Sequence, residues 1–221
     1  MRQRLLKIFH ILLGEFGKRN WWPGESPLEV MVGAVLTQNT SWKNVEKAIA
    51  NLKSADLMDI DRIYSVENDL LARHIRSSGY YNIKTKRLKE LIKVLYEEYD
   101  SSVENIRKKD TKFLRTALLK INGIGEETAD SILLYALEKP VFVVDAYTKR
   151  FLANHGLFNS SSRYRDIQAF FMDNLPKDTY LFNEFHALIV ALCQKYCLKL
   201  PKCNQCPLME DRERDSQRIF S

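Results

Sequence analysis

No stretch of the 221 residues approaches the roughly 20 consecutive apolar positions that a bilayer span requires, so a membrane helix is excluded. Cysteine is scarce. Only four are present, all between positions 193 and 206, which is too few and too clustered for a disulfide framework and better suited to binding a metal. Glycine and proline number only 8 and 6, and there is neither a low-complexity linker nor a repeat at a fixed period of 20–50 residues. Strand signals are nearly missing, because Val141-Phe142-Val143-Val144 is the one dense β-branched run, and it reads equally well as an extended entry into a helix. A large surplus of one charge is also lacking. With 34 basic and 28 acidic side chains the net charge is +6, which permits a polyanionic partner without demanding one. The opening stretch MRQRLLKIFHILLGEFGKRN is interrupted by charges and followed by no small-residue cleavage site. It reads as an amphipathic first helix of a cytoplasmic protein.

What is abundant is helical periodicity. Leu88, Leu91, Ile92 and Leu95 fall at the spacing of one buried stripe, with Lys86, Arg87, Lys89 and Glu90 on the other side. Stretches around 27–39, 41–52, 66–77, 111–120, 126–138, 146–155, 163–174 and 179–197 read the same way. Gly79, Gly123, Gly125 and Gly156 sit between them as turns. The pattern predicts an all-α chain of about ten helices in two helical lobes. One lobe spans 28–135; the second joins 1–27 to 136–221, and the cleft between them is the expected site.

Two features carry chemistry. Ile121-Asn122-Gly123-Ile124-Gly125-Glu126-Glu127-Thr128-Ala129 places two glycines where a chain turns between helices and can offer backbone N–H groups to a phosphate, although a plain helix–helix turn fits the same pattern. About twenty residues on, Val143-Val144-Asp145-Ala146-Tyr147 puts a carboxylate at the start of a helix, where it is either a cap or a functional group.

In this order the motifs resemble the endonuclease III superfamily of DNA glycosylases, with its helix-hairpin-helix, Gly/Pro-rich loop and aspartate. Leu36-Thr37-Gln38-Asn39-Thr40, then Gly79-Tyr80-Tyr81-Asn82 with Lys84 and Lys86, and finally the cysteines follow in the family's sequence, so that the resemblance runs from about Pro27 to Pro207. It implies a base-excision enzyme acting as a monomer on double-stranded DNA that contains a damaged base. The base must leave the stack before its glycosidic bond is reachable. Asp145 is then the catalytic carboxylate that stabilises an oxocarbenium-like transition state and orients or deprotonates water. Gly123, Ile124, Gly125, Gln38, Asn39, Lys84 and Lys86 become DNA contacts, with Gln38 and Asn39 in the region from which relatives insert a polar side chain into the vacated space. Helix capping or turn hydrogen bonding is the other reading of those two.

The sequence also departs from the family. Bifunctional members carry a Schiff-base lysine where this chain has Glu127, and a carboxylate cannot form an imine, so hydrolysis by water is expected and strand cleavage is not. Lys120 and Lys149 lie nearby without matching the motif, and Asn122 replaces the common hairpin proline. Trp21-Trp22-Pro23-Gly24 and Trp42 look like the 3-methyladenine glycosylases of this superfamily. The resemblance implies an aromatic pocket, formed by Trp21, Trp22, Pro23 and Trp42, for a cationic alkylated purine. Such tryptophans also serve simply as core. Cys193-x3-Cys197-x5-Cys203-x2-Cys206 can hold a [4Fe–4S] cluster or, alternatively, zinc; relatives use C-x6-C-x2-C-x5-C, and this chain lacks the last cysteine. A cysteine-ligated loop would be structural, shaping Lys195, Lys199 and Lys202 against DNA near the nucleoid. Competing functions are a bifunctional enzyme for oxidised pyrimidines, a T·G mismatch glycosylase and a non-catalytic DNA-binding protein.

Overall fold

A computed structural model describes residues 1–159 and 161–211. Among them are twelve α-helices and no strand, and the chain divides into two compact units, Trp22–Lys139 and Met1–Trp21 with Pro140–Ser221.

The unit Trp22–Lys139 is organised by α2 (Pro27–Leu36). Every residue from Leu28 to Leu36 is buried, and all but Glu29 are apolar, so this helix is covered on all sides and must sit at the centre of its unit. Pro27 pre-sets its first turn and the Ser26 hydroxyl accepts the Glu29 N–H at 3.2 Å, which fixes where the helix begins. Around it lie α3 (Trp42–Ser54), α4 (Ile60–Ser65), α5 (Asn68–His74), a 3₁₀ turn (Arg76–Ser78), α6 (Tyr81–Tyr99), α7 (Val103–Arg107) and α8 (Thr111–Lys120). Helix α9 (Glu126–Ser131) runs on into a π-helical turn, Ile132–Ala136, that packs against α2. The predicted stripe of α6 is the observed one, since Leu88, Leu91 and Ile92 are fully buried and Leu95 nearly so. Each such side chain contributes about 1.5–3 kcal/mol over its exposed state. Periodicity missed α4 and α7, six and five residues long, because one or two turns supply too few positions for a period to show. It also ran α2 three residues too far. The helix stops at Leu36, and Asn39 adopts the left-handed conformation with φ 54°.

The other unit is built on α12 (Thr179–Lys195), which packs against α1 (Arg2–Phe16) and α10 (Ala146–Asn154). Leu5, Ile8, Phe9 and Leu12 form the buried face of α1, as the amphipathic reading of the opening stretch requires. Val141–Val144 is buried and belongs to neither helix nor strand. Instead Phe142 stacks on Phe171 of α11 (Tyr164–Asn174) with ring centroids 3.8 Å apart, while Phe182 and Phe185 meet it edge-on. This aromatic bed fixes the segment that leads into Asp145.

Candidate nucleic-acid and catalytic site

The hairpin is α8, the turn 121–125 and α9. Its arms are clamped by Arg115, whose guanidinium donates to both carboxylate oxygens of the fully buried Asp130 at 2.7 and 2.9 Å. Gly123 has φ 87°, a conformation that costs an L side chain strain, and a Cβ there would overlap Arg87 Cγ. Gly125 is the N-cap of α9 and offers no side chain to its first turn. The turn therefore keeps the two properties that a phosphate-holding hairpin needs: a tight reversal and N–H groups not capped by the residue before them.

The four polar residues expected at DNA behave differently from one another. Lys86 and Asn39 are exposed. Lys84 is not: it is 1% exposed, and its ammonium donates to Leu36 O at 2.8 Å and Ser78 O at 2.6 Å. This corrects the reading of Lys84 as a DNA contact, because a side chain consumed by two buried carbonyls has no reach to a phosphate. Burial, with the nearby Arg87 charge adding, pushes its pKa down to about 8. Gln38 is also engaged internally. Its Nε2 donates to Gly123 O at 3.1 Å and to Thr128 Oγ1 at 3.0 Å, while Oε1 accepts from Arg87 Nη1.

Among the expected pocket residues, Trp22 meets Trp42 edge-on at 5.1 Å and lies 5.3 Å from Tyr135. Gly33 of α2 lets the Trp22 indole approach closely, because a Cβ there would sit 3.2 Å from the ring. Trp22, Trp42 and Tyr135 are each partly exposed, so the cluster presents aromatic surface and is not a closed core. Pro23 is exposed beside it in sequence. Trp21 belongs to the other unit. The backbone N–H groups just before it, of Arg19 and Asn20, donate to the buried Glu184 carboxylate at 2.8 and 2.7 Å.

Asp145 caps α10, its Oδ1 accepting the Thr148 N–H at 2.7 Å. The preceding backbone is fastened by Tyr164, whose hydroxyl accepts the Val144 N–H, and by Gln168, whose amide donates to Phe142 O at 2.8 Å. The second carboxylate oxygen faces His186 Nε2 of α12 at 3.5 Å. Burial pushes the Asp145 carboxyl up, but the adjacent His186 and the Thr148 N–H outweigh it and hold the group below its ordinary value. An ionised carboxylate on a capped helix start, in an apolar bed, is equipped to stabilise positive charge on a sugar. Glu184, Arg87 and Tyr135 carry no signal in the local pattern, and for His186 the one hint is a histidine within the apolar run of α12.

The cysteines fall into two pairs. Cys193 and Cys197 are buried; Cys193 Sγ donates to Tyr147 O at 3.4 Å, and Cys197 Sγ accepts from Asn154 Nδ2 at 3.1 Å. The proximity of the two sulfurs pushes the Cys193 thiol up and holds Cys197 down at about 6. Cys197, Cys203 and Cys206 line a single cleft with Asn154, His155 and Pro201. The donor chemistry is that of a thiolate-bound metal. Among the described residues, however, no three Cys, His, Asp or Glu side chains converge closely enough to hold one as they stand.

The model of the HhH-GPD superfamily base excision DNA repair proteins matches residues 32–177, which include the hairpin, the Gln38 turn and Asp145. The chain belongs to that superfamily. A Methanocaldococcus jannaschii protein assigned in name to the DNA repair glycosylases is 51% identical over 209 residues, covering 94% of this chain and 95% of its own. The crystal structure of the H. pylori 3-methyladenine DNA glycosylase bound to 1,N6-ethenoadenine superposes with a TM-score of 0.77 at 33% identity, covering 86% of this chain and 97% of that one. The endonuclease III of Sulfolobus acidocaldarius is 28% identical, over 81% of this chain and 78% of its own. The protein is thus a DNA glycosylase of base excision repair, and among the described residues no helix is long and apolar enough to cross a membrane.

Proposed function

We propose that this HhH-GPD protein is a monofunctional glycosylase that hydrolyses the N-glycosidic bond of an alkylated purine flipped out of duplex DNA. The observation that carries the reading is Asp145, a carboxylate kept ionised on a capped helix start. As the C1′–N bond breaks, its electron pair departs with the base, and positive charge spreads over C1′ and the ring oxygen. Asp145 stabilises that charge and orients the water that then bonds to C1′. A carboxyl whose pKa is lowered is a weak base, so electrostatic stabilisation is its larger contribution and the water's proton ends in solvent.

The rest of the assignment follows from leaving-group chemistry. A purine alkylated on a ring nitrogen already carries positive charge and departs without prior protonation. Aromatic faces recognise it at about 0.5–2 kcal/mol per contact, and Trp22, Trp42 and Tyr135 supply such faces. The relative solved with ethenoadenine supports a purine pocket. Glu127 supports hydrolysis over imine formation. The hairpin at Gly123–Gly125, with Asn39 and Lys86, holds the DNA backbone of a monomeric enzyme in the cytoplasm. The cysteine loop would hold a [4Fe–4S] cluster, or zinc, through Cys197, Cys203, Cys206 and Cys193, which would have to draw together from their present positions, and the role of the group would be structural.

Base release measured in parallel from duplexes carrying 3-methyladenine, 7-methylguanine, thymine glycol or a T·G pair tests the substrate. Release of the two methylated purines is expected to dominate; preferential release of thymine glycol or thymine would overturn the alkylpurine assignment. Borohydride added to enzyme and abasic DNA is expected to trap no covalent adduct, and an adduct would overturn the monofunctional one. Absorption near 400 nm in the purified protein is expected from the cluster.

A further inference from the structure

The hairpin turn is not self-supporting. One face of α6 reaches two elements that the motif pattern treats as separate. Lys84 fastens the chain just before each of two loops, at Leu36 O and at Ser78 O. Three residues on, and so on the same helix face, Arg87 donates to Gln38 Oε1 while its aliphatic stem fills the space where Gly123 has no side chain. Gln38 passes the connection forward through its two bonds to Gly123 O and Thr128 Oγ1. An amide orients only one way in such a chain, with its oxygen toward the guanidinium and its nitrogen toward the two acceptors.

We propose that Arg87 and Gln38 form a latch that sets the hairpin's conformation for gripping DNA, and that neither side chain acts by touching DNA itself in this arrangement. Three observations carry it. Both polar ends of Gln38 are engaged within the protein, the Gly123 carbonyl it fastens belongs to the one hairpin residue with a left-handed φ, and the Arg87 stem occupies the volume beside that residue. These residues are positioning residues. By this arrangement Asn39, exposed and left-handed at the tip of the same turn, is the residue left facing outward. The inference rests on the hairpin's binding DNA.

A direct contact and a latch differ in salt dependence and in additivity. An arginine bound to phosphate releases counterions, and removing it lowers the slope of log Kd against log salt by about 0.9. Removing a latch weakens binding without changing the number of phosphates neutralised. Duplex binding, with an abasic-site analogue as the probe, is to be measured across a salt series for wild type, Arg87→Met, Gln38→Leu and the double variant. Each single variant is expected to bind about tenfold more weakly, with the wild-type salt slope. The double variant is expected to be no weaker than the worse single, because both break one chain of bonds. Arg87→Lys, which keeps the charge but loses the planar fork, is expected to fall with Arg87→Met. A slope reduced by about 0.9 in Arg87→Met, or losses that add in the double variant, would overturn the latch. Wild-type protein that binds no duplex would instead sink the DNA-binding reading beneath it. Thermal melting of each variant separates unfolding from a loosened hairpin.

Discussion

The turn at Gly123–Gly125 and the turn at Asp145 both deliver the chain into a helix, and they treat the start of that helix in opposite ways. Gly125 gives α9 no side-chain cap, whereas Asp145 places its carboxylate on the Thr148 N–H. By the proposed function, the first leaves its helix start without a side-chain cap for an anion from outside, and the second brings its own anion and keeps it charged. Their supports differ too. Asp145 is held by an apolar bed around Phe142 with a few polar ties, while the hairpin is braced by Arg115, Arg87 and Gln38. A turn without a side-chain cap draws its support from side chains elsewhere in its unit, and a turn that carries its own carboxylate is fixed mainly by the packing around it.

The comparison breaks first at Asp145. Asp145→Asn keeps an N-cap of equal quality, because asparagine also accepts the Thr148 N–H, so the melting temperature is expected to change little. Base release under single-turnover conditions is expected to fall on the order of 10²–10³-fold, the usual cost of removing one preorganised group at a developing charge. Unchanged base release would return Asp145 to a purely structural cap.

The hairpin is expected to fail through stability instead. Arg115→Met takes from the buried Asp130 its bidentate partner, and urea unfolding is expected to show a loss of about 3 kcal/mol. A loss below 1 kcal/mol would mean that the arms of the hairpin are held by packing. Gly123→Ala strains a φ of 87° and displaces the Arg87 stem, for an expected loss of about 1–2 kcal/mol, seen in the same assay. Paired with Arg87→Met, which vacates that space, the alanine is expected to cost less. If the two losses simply add, the close approach of Arg87 contributes nothing.

The same contrast explains what was legible in sequence. Asp145, Gly123 and Gly125 are set by local rules, a cap and two turn glycines, so a short motif exposes them. The stripe of α6 is visible for the same reason. The fates of Lys84 and Lys86 are not, although they stand two residues apart and look equivalent in sequence. A helix rotates about 200° between such positions, so one faces the interior and the other faces solvent, and only the packing of α6 decides which. His186 and Glu184 belong with Lys84. Each was unassigned or misread because its partner lies far away in sequence: Asp145 for His186, Arg19 and Asn20 for Glu184, Leu36 for Lys84.

Lys84 offers the finest test, because its burial makes a statement about pH. In the folded protein its pKa is pushed down to about 8 from the ordinary 10.5, so between those values the unfolded chain binds the proton and the folded one releases it. Stability from this group therefore rises as pH increases through 8 toward 10.5, and the penalty of burying the charge is fully present below 8. Lys84→Met removes that linkage along with the two hydrogen bonds, which persist in wild type because a neutral amine still donates. The wild-type advantage over Lys84→Met in urea unfolding is expected to grow by about 1 kcal/mol between pH 8 and pH 9. A constant difference would mean that the ammonium keeps its ordinary pKa, and hence that water reaches it beneath the Gln38 turn. The brace from α6 to the hairpin would then be anchored in a wetter and looser base than the one that holds Asp145.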